Sequence, residues 1–493
     1  MMAATLLFIE VGSIFGAVYV LLAGWMHWLL KDWTMISTAS QQALGFSLCC
    51  SIAFYYNGLY NLRSVRSVSE LSQRLIRSIP LALLLLALLY AVFPQSKIKP
   101  ALLILSVLAV SGLLILFRAI FYEMMQHRPF TKRVLILGTG PLAQKLVREI
   151  ELEPSCRYQI AGIIDDSVNS AEVALDEPLR GVLEGIGYPY IGPLRHLRRI
   201  IERIRPDRII VAQPEGLERC PVRHILLEYR PQGIVIEDGV EVYERLTGKV
   251  AIEWLKPETL LFSKDFRRSR FDEGLARVTS LISAIFGLVI FAPFFALIAI
   301  VIKLDSAGPV LFVQERIGRS GKPFKLLKFR TMRPAQEKTS EWAQDNLERI
   351  TRVGRWLRKF RLDELPQFVN VFKGDMNLVG PRPHPASNFA LFVLVSRNAP
   401  ECGQPIPYYA LRSMVRPGIT GWAQIRYRYA NGLDEEIEKM RYDLYYIKHM
   451  SFWFDLSILC ETVKVVLFGQ ESRDNASAEV TATEPSEEFG SAA

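Results

Sequence analysis

Cysteine is scarce: six residues in a chain of 493, at Cys49, Cys50, Cys156, Cys220, Cys402 and Cys460. None forms a CxxC pair or a zinc-ligand spacing, so a zinc ribbon and a redox dithiol are excluded. Cys49-Cys50 lies in an apolar run and reads as two small buried hydrophobes in a reducing compartment. The N-terminus lacks a basic n-region and a cleavage site, so its apolar stretch reads as an anchor rather than a signal peptide. Also missing, between residues 131 and 262, is a Tyr-x-x-x-Lys pair, which counts against hydride chemistry there.

What is present is apolar and basic. Half of the residues are hydrophobic and the net charge is +9, too long for one core and too greasy for a purely soluble protein. Apolar stretches near 5–30, 41–60, 79–93 and 101–117 predict a four-helix transmembrane module over 1–130. Arg63, Arg66, Arg74 and Arg77 follow the second stretch, and Arg118, Arg128, Lys132 and Arg133 follow the fourth. The positive-inside rule then puts both ends of the module in the cytoplasm. Glu10, inside the first stretch, reads as an acid snorkelling at a membrane edge rather than a functional site.

Residues 131–262 predict a Rossmann-like parallel α/β domain. A buried-strand pattern, KRVLILGT, runs into Gly138-Thr139-Gly140-Pro141-Leu142-Ala143, and the next strand ends at Asp165. Gly138, Gly140 and Asp165 are therefore the candidates for holding a nucleotide. Against this, Pro141 removes one N–H from the start of the phosphate-facing helix.

The segment 278–302 is apolar and flanked by Arg267, Arg268, Arg270, Arg277 and Lys303. As a straight helix it would be about 37 Å long, enough to cross. Two basic flanks disfavour a crossing, and Pro293 near its middle favours a kink. We expect a re-entrant membrane helix bent at Pro293, with both ends cytoplasmic.

Residues 263–470 carry the chemistry. From Lys303 to Asp375 there are 16 Lys/Arg against 9 Asp/Glu, a balance that suits phospholipid headgroups, nucleotide diphosphates or nucleic acid. Residues 303–332 read as strand-turn-strand, with Lys325, Lys328 and Arg330 as a basic edge for a diphosphate. Residues 347–361 read as a basic amphipathic helix in the headgroup region. It leads to Asp363-Glu364, followed by the apolar stripe Leu365, Phe368, Val369 and Phe372 and the turn Pro381-Arg382-Pro383. Neighbouring acids on a helix diverge by roughly 100°, so one can face a phosphorus atom as nucleophile while the other holds a divalent cation. Arg382, between two prolines, is pre-organised for phosphate. Arg416-Pro417-Gly418 begins a second rigid loop, 434–469 reads as two amphipathic helices, and 471–493 as a disordered tail.

RLDELPQFVNVFKGDMNLVGPRP (361–383), followed by VRPGITGWAQI (415–425), closely resembles the bacterial sugar transferase family. These are monotopic polyprenyl-phosphate hexose-1-phosphate transferases of exopolysaccharide, capsule and O-antigen assembly. The similarity covers about 266–470 and is to the large form, with an N-terminal four-helix membrane module and a Rossmann-like domain. It implies a membrane α plus α/β architecture with a re-entrant-helix monotopic α+β catalytic domain, facing the cytoplasm of the bacterial inner membrane. It implies transfer of a sugar-1-phosphate from a UDP-sugar to undecaprenyl phosphate with release of UMP. In that reaction Asp363 would be the covalent nucleophile and Glu364 the Mg²⁺ ligand. Lys325, Lys328, Arg330, Arg382 and Arg416 would bind phosphate, and inner-membrane lipids would surround a homodimer that takes no nucleic acid. One departure stands out: the family usually has Ser-Pro at the bend, and here it is Ala292-Pro293. The rival readings are a nucleotide-sugar oxidoreductase or epimerase using the Rossmann-like domain, and a non-catalytic scaffold for polysaccharide assembly.

Overall fold

The computed structural model describes residues 11–24, 36–57, 59, 68–126, 131–152, 158–165, 181–182, 189–213, 223–254, 270–333, 349–385, 409–427 and 433–468. Glu10 and the tail 471–493 lie outside the described residues. The chain divides into two compact units at Val242/Tyr243.

The first unit begins with four helices: α1 (Val11–Gly24), α2 (Ile36–Tyr56), α3 (Val68–Val92) and α4 (Pro100–Gln126). They share an apolar core that includes Ile14, Phe46, Cys49, Cys50, Leu86 and Val110. Cys49 and Cys50 are free thiols buried in it. Within α3 and α4, Gln73–Val92 and Pro100–Phe117 are long and apolar enough to cross a membrane; α1 is a shorter apolar helix. Helix α3 starts well before the apolar run at 79 and passes through Pro80.

The rest of this unit is a sheet of six strands: β1 (Lys132–Leu137), β2 (Tyr158–Ile164), β3 (Gly181–Val182), β4 (Pro189–Gly192), β5 (Arg208–Val211) and β6 (Val235–Asp238), in the order β3-β4-β2-β1-β5-β6. All pairings are parallel except β3 with β4. Strand β1 is central, and its last four residues are fully buried, as a strand covered on both faces requires. Helices α5 (Pro141–Leu152), α6 (Leu197–Ile204) and α7 (Arg223–Tyr229) connect the strands. The two units part within α8 (Gly239–Thr247).

The second unit is built along one helix, α9 (Arg270–Asp305), of 36 residues with Pro293 inside it. The helix therefore begins eight residues before the apolar segment 278–302 and ends three residues after it. Its contacts recur at every turn. Arg277 Nη1 donates to the carbonyl of Val371 (2.8 Å), and Ser280 Oγ accepts from Leu378 N (3.0 Å). Ala284 shares a core with Leu326, Val371 and Met376. Phe291 stacks on Phe368, and Phe295 packs on Phe329. Ile298 and Ile302 meet Leu357, and Asp305 accepts from Val353 N at 3.3 Å. The opposite face is apolar and open: Ile282, Phe286, Val289 and Leu297 are all more than half exposed.

Against the covered face lies the antiparallel hairpin β7 (Leu311–Ile317) and β8 (Pro323–Phe329). Next come α10 (Arg352–Lys359) and α11 (Gln367–Lys373), then the parallel pair β9 (Asn377–Val379) and β10 (Gly418–Thr420). Helices α12 (Trp422–Arg426), α13 (Leu433–Lys448) and α14 (Phe452–Phe468) close the unit. Residues 243–254 pack here too. Val250 and Ile252 join the core of Trp422, Leu444 and Ile458, and Trp422 Nε1 donates to the carbonyl of Gly248 at 2.8 Å. The boundary expected at 262 thus falls twenty residues earlier by contact.

Helix α10 is shorter than the expected 347–361. Ile350 pairs with Met332 in an isolated antiparallel bridge, and Thr351 then caps the helix, accepting from Gly354 N at 2.9 Å. A Cβ on Gly354 would lie 2.1 Å from the carbonyl oxygen of Thr331, so only glycine lets this helix seat on the strand end.

Candidate active site

Asp363 and Glu364 do not sit on an α-helix. They occupy a single 3-10 turn, Leu362–Glu364, entered through Arg361 at φ 53. Three residues per turn make the two side chains diverge by about 120°. Helix α10 leads into the turn and α11 leaves it, ending at Gly374 with φ 97. The fully buried positions of α11 are Gln367, Asn370 and Val371, while of the expected stripe Leu365 and Phe368 are partly buried against neighbouring cores and Phe372 is exposed. Asn370 explains the difference. It is 1% exposed and grips β8 as another strand would, with Nδ2 donating to the carbonyl of Lys325 (2.7 Å) and Oδ1 accepting from Leu327 N (3.0 Å).

The two acids are held differently. Glu364 is buried, and its Oε1 accepts from Arg382 Nη2 at 2.9 Å and from Lys328 Nζ at 3.3 Å. Burial pushes this carboxyl up, but the Arg382 and Lys328 cations outweigh it and hold Glu364 far below the usual carboxylate range. Asp363 is half-buried and accepts no hydrogen bond from a described residue. Burial and the neighbouring Glu364 charge raise it, against the opposing pull of Lys328, Arg382 and Arg358. Lys328 is brought down to about 8 by burial and by Arg382, with Glu364 pulling the other way. Arg382 also reaches Gln424 Oε1 at 3.5 Å.

The other basic candidates stand apart. Side chains alternate along a strand, so Lys325 falls on the opposite face of β8 from Lys328 and is exposed. Arg330 shares the face of Lys328 but donates Nη2 to the carbonyl of Ser306 at 2.6 Å. Arg416 donates Nε to the carbonyl of Gly374 at 3.2 Å and pairs with Glu273 at 3.5 Å. Among the described residues no group of three or more His, Cys, Asp or Glu is placed to hold a metal by itself.

In the first unit, Gly138 has φ 112, and a Cβ there would lie 2.9 Å from the carbonyl oxygen of Ala212. Close backbone packing therefore requires this glycine. Gly140 has open space around it. Asp165 Oδ2 accepts from Thr139 N at 2.8 Å and from Thr139 Oγ1, so the acid at the end of β2 ties down the glycine turn itself.

This site, beside a long helix with one exposed apolar face, defines a class. The bacterial sugar transferase family profile matches residues 271–469, and a profile described as a CoA-binding domain matches residues 56–220. The chain belongs to the bacterial sugar transferase family. The UDP-glucose:undecaprenyl-phosphate glucose-1-phosphate transferase of Escherichia coli K12 is 42% identical over 345 residues, 69% of this chain and 68% of that protein. The UDP-N-acetylgalactosamine-undecaprenyl-phosphate N-acetylgalactosaminephosphotransferase of Aeromonas hydrophila is 35% identical over 286 residues, 58% of this chain and 62% of that protein. A second UDP-glucose:undecaprenyl-phosphate glucose-1-phosphate transferase, from Caulobacter vibrioides, is 42% identical over 205 residues, 41% of this chain and 71% of that protein. The chain thus spans a little under two thirds of the Aeromonas relative.

Proposed function

We propose that the protein is a membrane-bound phosphoglycosyl transferase that moves a sugar-1-phosphate from a UDP-sugar to undecaprenyl phosphate and releases UMP. The observation that carries this is the contrast between the two acids. Glu364 is fixed and ionised by two cations, while Asp363 accepts no bond from a described residue. In the proposed first step an Asp363 carboxylate oxygen attacks the sugar-bearing phosphorus; the bond to the UMP oxygen breaks and UMP leaves. In the second, an oxygen of the lipid phosphate attacks the same phosphorus and releases Asp363. Arg382 and Lys328 bind the phosphate oxygens.

Two adjacent hard-oxygen donors, one of them held ionised, fit Mg²⁺ bound together with substrate phosphates rather than alone. We assign Glu364 to it. When bound, Mg²⁺ would neutralise diphosphate charge.

Helix α9 we read as re-entrant, with the transferase domain on the cytoplasmic face of the inner membrane and the N-terminal module as a multi-pass anchor. A crossing helix has roughly 20 residues in hydrocarbon, yet α9 meets the same domain from Arg277 to Asp305 without such a gap. A homodimer is the proposed assembly.

The test is to incubate purified protein with undecaprenyl phosphate and a panel of radiolabelled UDP-sugars. One sugar should enter lipid with stoichiometric UMP. No UMP and no labelled lipid from any of them would remove the proposal.

A further inference from the structure

Behind Arg382 lies a second set of buried charges that the proposed chemistry does not use. Arg412, in the 3-10 turn Tyr409–Met414, is 8% exposed and forms an ion pair at 2.6 Å with Asp443 of α13, which is 1% exposed. Its Nη1 lies 2.7 Å from Nε2 and 3.0 Å from Nδ1 of His384, and its Nη2 donates to the carbonyl of Arg382 at 3.1 Å. His384 Nε2 in turn is 3.3 Å from Glu436, which pairs with Lys439. Burial and the Arg412 and Lys439 cations hold His384 well below the usual imidazole range. Burying an arginine-aspartate pair is costly unless its geometry is exact and its remaining donors are used. Here they are used on the turn.

The turn has an unusual need. Pro381 and Pro383 supply no N–H, which leaves Arg382 the one backbone donor of the three and puts most of the fixing on the carbonyls. Four consecutive ones are taken: Pro381 by Gly418 N (3.0 Å), Arg382 by Arg412 Nη2 (3.1 Å), Pro383 by Arg316 Nη1 (3.0 Å) and His384 by Ile317 N (3.0 Å). The bond on Arg382 itself comes from the buried, ion-paired Arg412.

We propose that Arg412, clamped by Asp443, is a positioning residue that fixes the Pro381–Pro383 turn so that the Arg382 guanidinium faces Glu364 and the donor phosphates. The catalytic consequence rests on the transferase reading given above; the fixing of the turn does not. The contacts to Asp443 and to the Arg382 carbonyl are both made by Nη2 of Arg412, whose N–H directions the guanidinium plane fixes. Lysine at 412 keeps the charge for Asp443, but its freely rotating ammonium holds the Arg382 carbonyl in no fixed direction and leaves His384 without its Nη1 contact.

A double-mutant cycle separates this role from bulk stability or direct substrate contact. Arg412→Lys should lower kcat/KM about tenfold to a hundredfold, as misplacement of a phosphate-binding group does. In an Arg382→Lys background the same change should cost less than about twofold, because the group it aims is already gone. Hydrogen exchange supplies the arm that needs no turnover. Peptides holding the Ile317 and Gly418 amides, which donate into the same turn, should exchange faster in Arg412→Lys while α13 and α14 stay protected. If Arg412→Lys does not fold, Arg412→Gln with Asp443→Asn removes both charges together and carries the same expectations. Additive losses in the cycle, as direct substrate contact by Arg412 would give, or unchanged exchange at 317 and 418, overturn the proposal. Faster exchange in a protein whose wild type turns over no UDP-sugar would overturn the transferase reading instead and leave the positioning role standing.

Discussion

Asp363→Asn exchanges the proposed nucleophile for an amide of nearly the same shape, so the fold should survive while chemistry stops. Transfer should fall by at least about a thousandfold with an unchanged melting curve; substantial turnover by the purified variant would remove the covalent step. Glu364→Gln tests the neighbouring role, because an amide is a poor Mg²⁺ ligand. Residual activity should need more Mg²⁺, and a titration matching wild type would withdraw the metal assignment. Lys328 gives the sign of the pH profile. With its pKa brought down to about 8, it carries its charge below that pH and loses it as pH rises through it. Asp363, raised by burial, must shed its proton to attack, so activity also falls as pH drops. The profile of kcat/KM should therefore be bell-shaped. Lys328→Arg should abolish the alkaline limb near pH 8, since guanidinium does not titrate there; a limb left in place would assign it to another group. At this scale the sequence was informative about chemistry and poor about direction. The acid pair and Arg382 were legible from residue type and spacing. That Lys325 and Lys328 point to opposite faces followed only once the strand register was known, and nothing in the sequence marked Asn370 as the clamp between α11 and β8.

At the scale of elements, α9 is the test. Its apolar length suits a crossing, and its basic flanks and continuous packing argue otherwise. Single cysteines placed near 265 and 335 should both be labelled from the cytoplasmic side and neither from the periplasm. Labelling of one from each side would establish a span and overturn the re-entrant reading. Hydropathy alone could not have decided this, because it reports that a helix is apolar and not which of its faces protein covers. Helix α10 shows the same limit: the basic amphipathic pattern was legible, but its start depended on Ile350 pairing with Met332, a contact between residues far apart in sequence.

At the scale of the molecule, the parallel sheet was readable from alternating strand and helix patterns, whereas the division between units was not. Residues 243–254 look like a continuation of the sheet domain, yet Lys249 pairs with Glu438, Glu253 takes Arg441 on both oxygens, and Lys448 bonds Glu244. A fragment beginning at Tyr243 should therefore keep transferase activity in detergent. One beginning at 263 exposes the pocket of Val250 and Ile252, at about 1.5–3 kcal/mol each, and should unfold at lower temperature. Equal melting temperatures for the two would show that this segment is dispensable.

The covered and open faces of α9 fix more than attachment. If, as proposed, lipid meets the open side of the helix while the catalytic domain covers the other, the protein floats at a single depth. On the proposed reading, its lipid acceptor is met by lateral diffusion in a two-dimensional solution, so turnover follows the acceptor's mole fraction in the bilayer. Diluting the membrane with inert phospholipid then slows the enzyme even when the total amount of acceptor in the tube is unchanged.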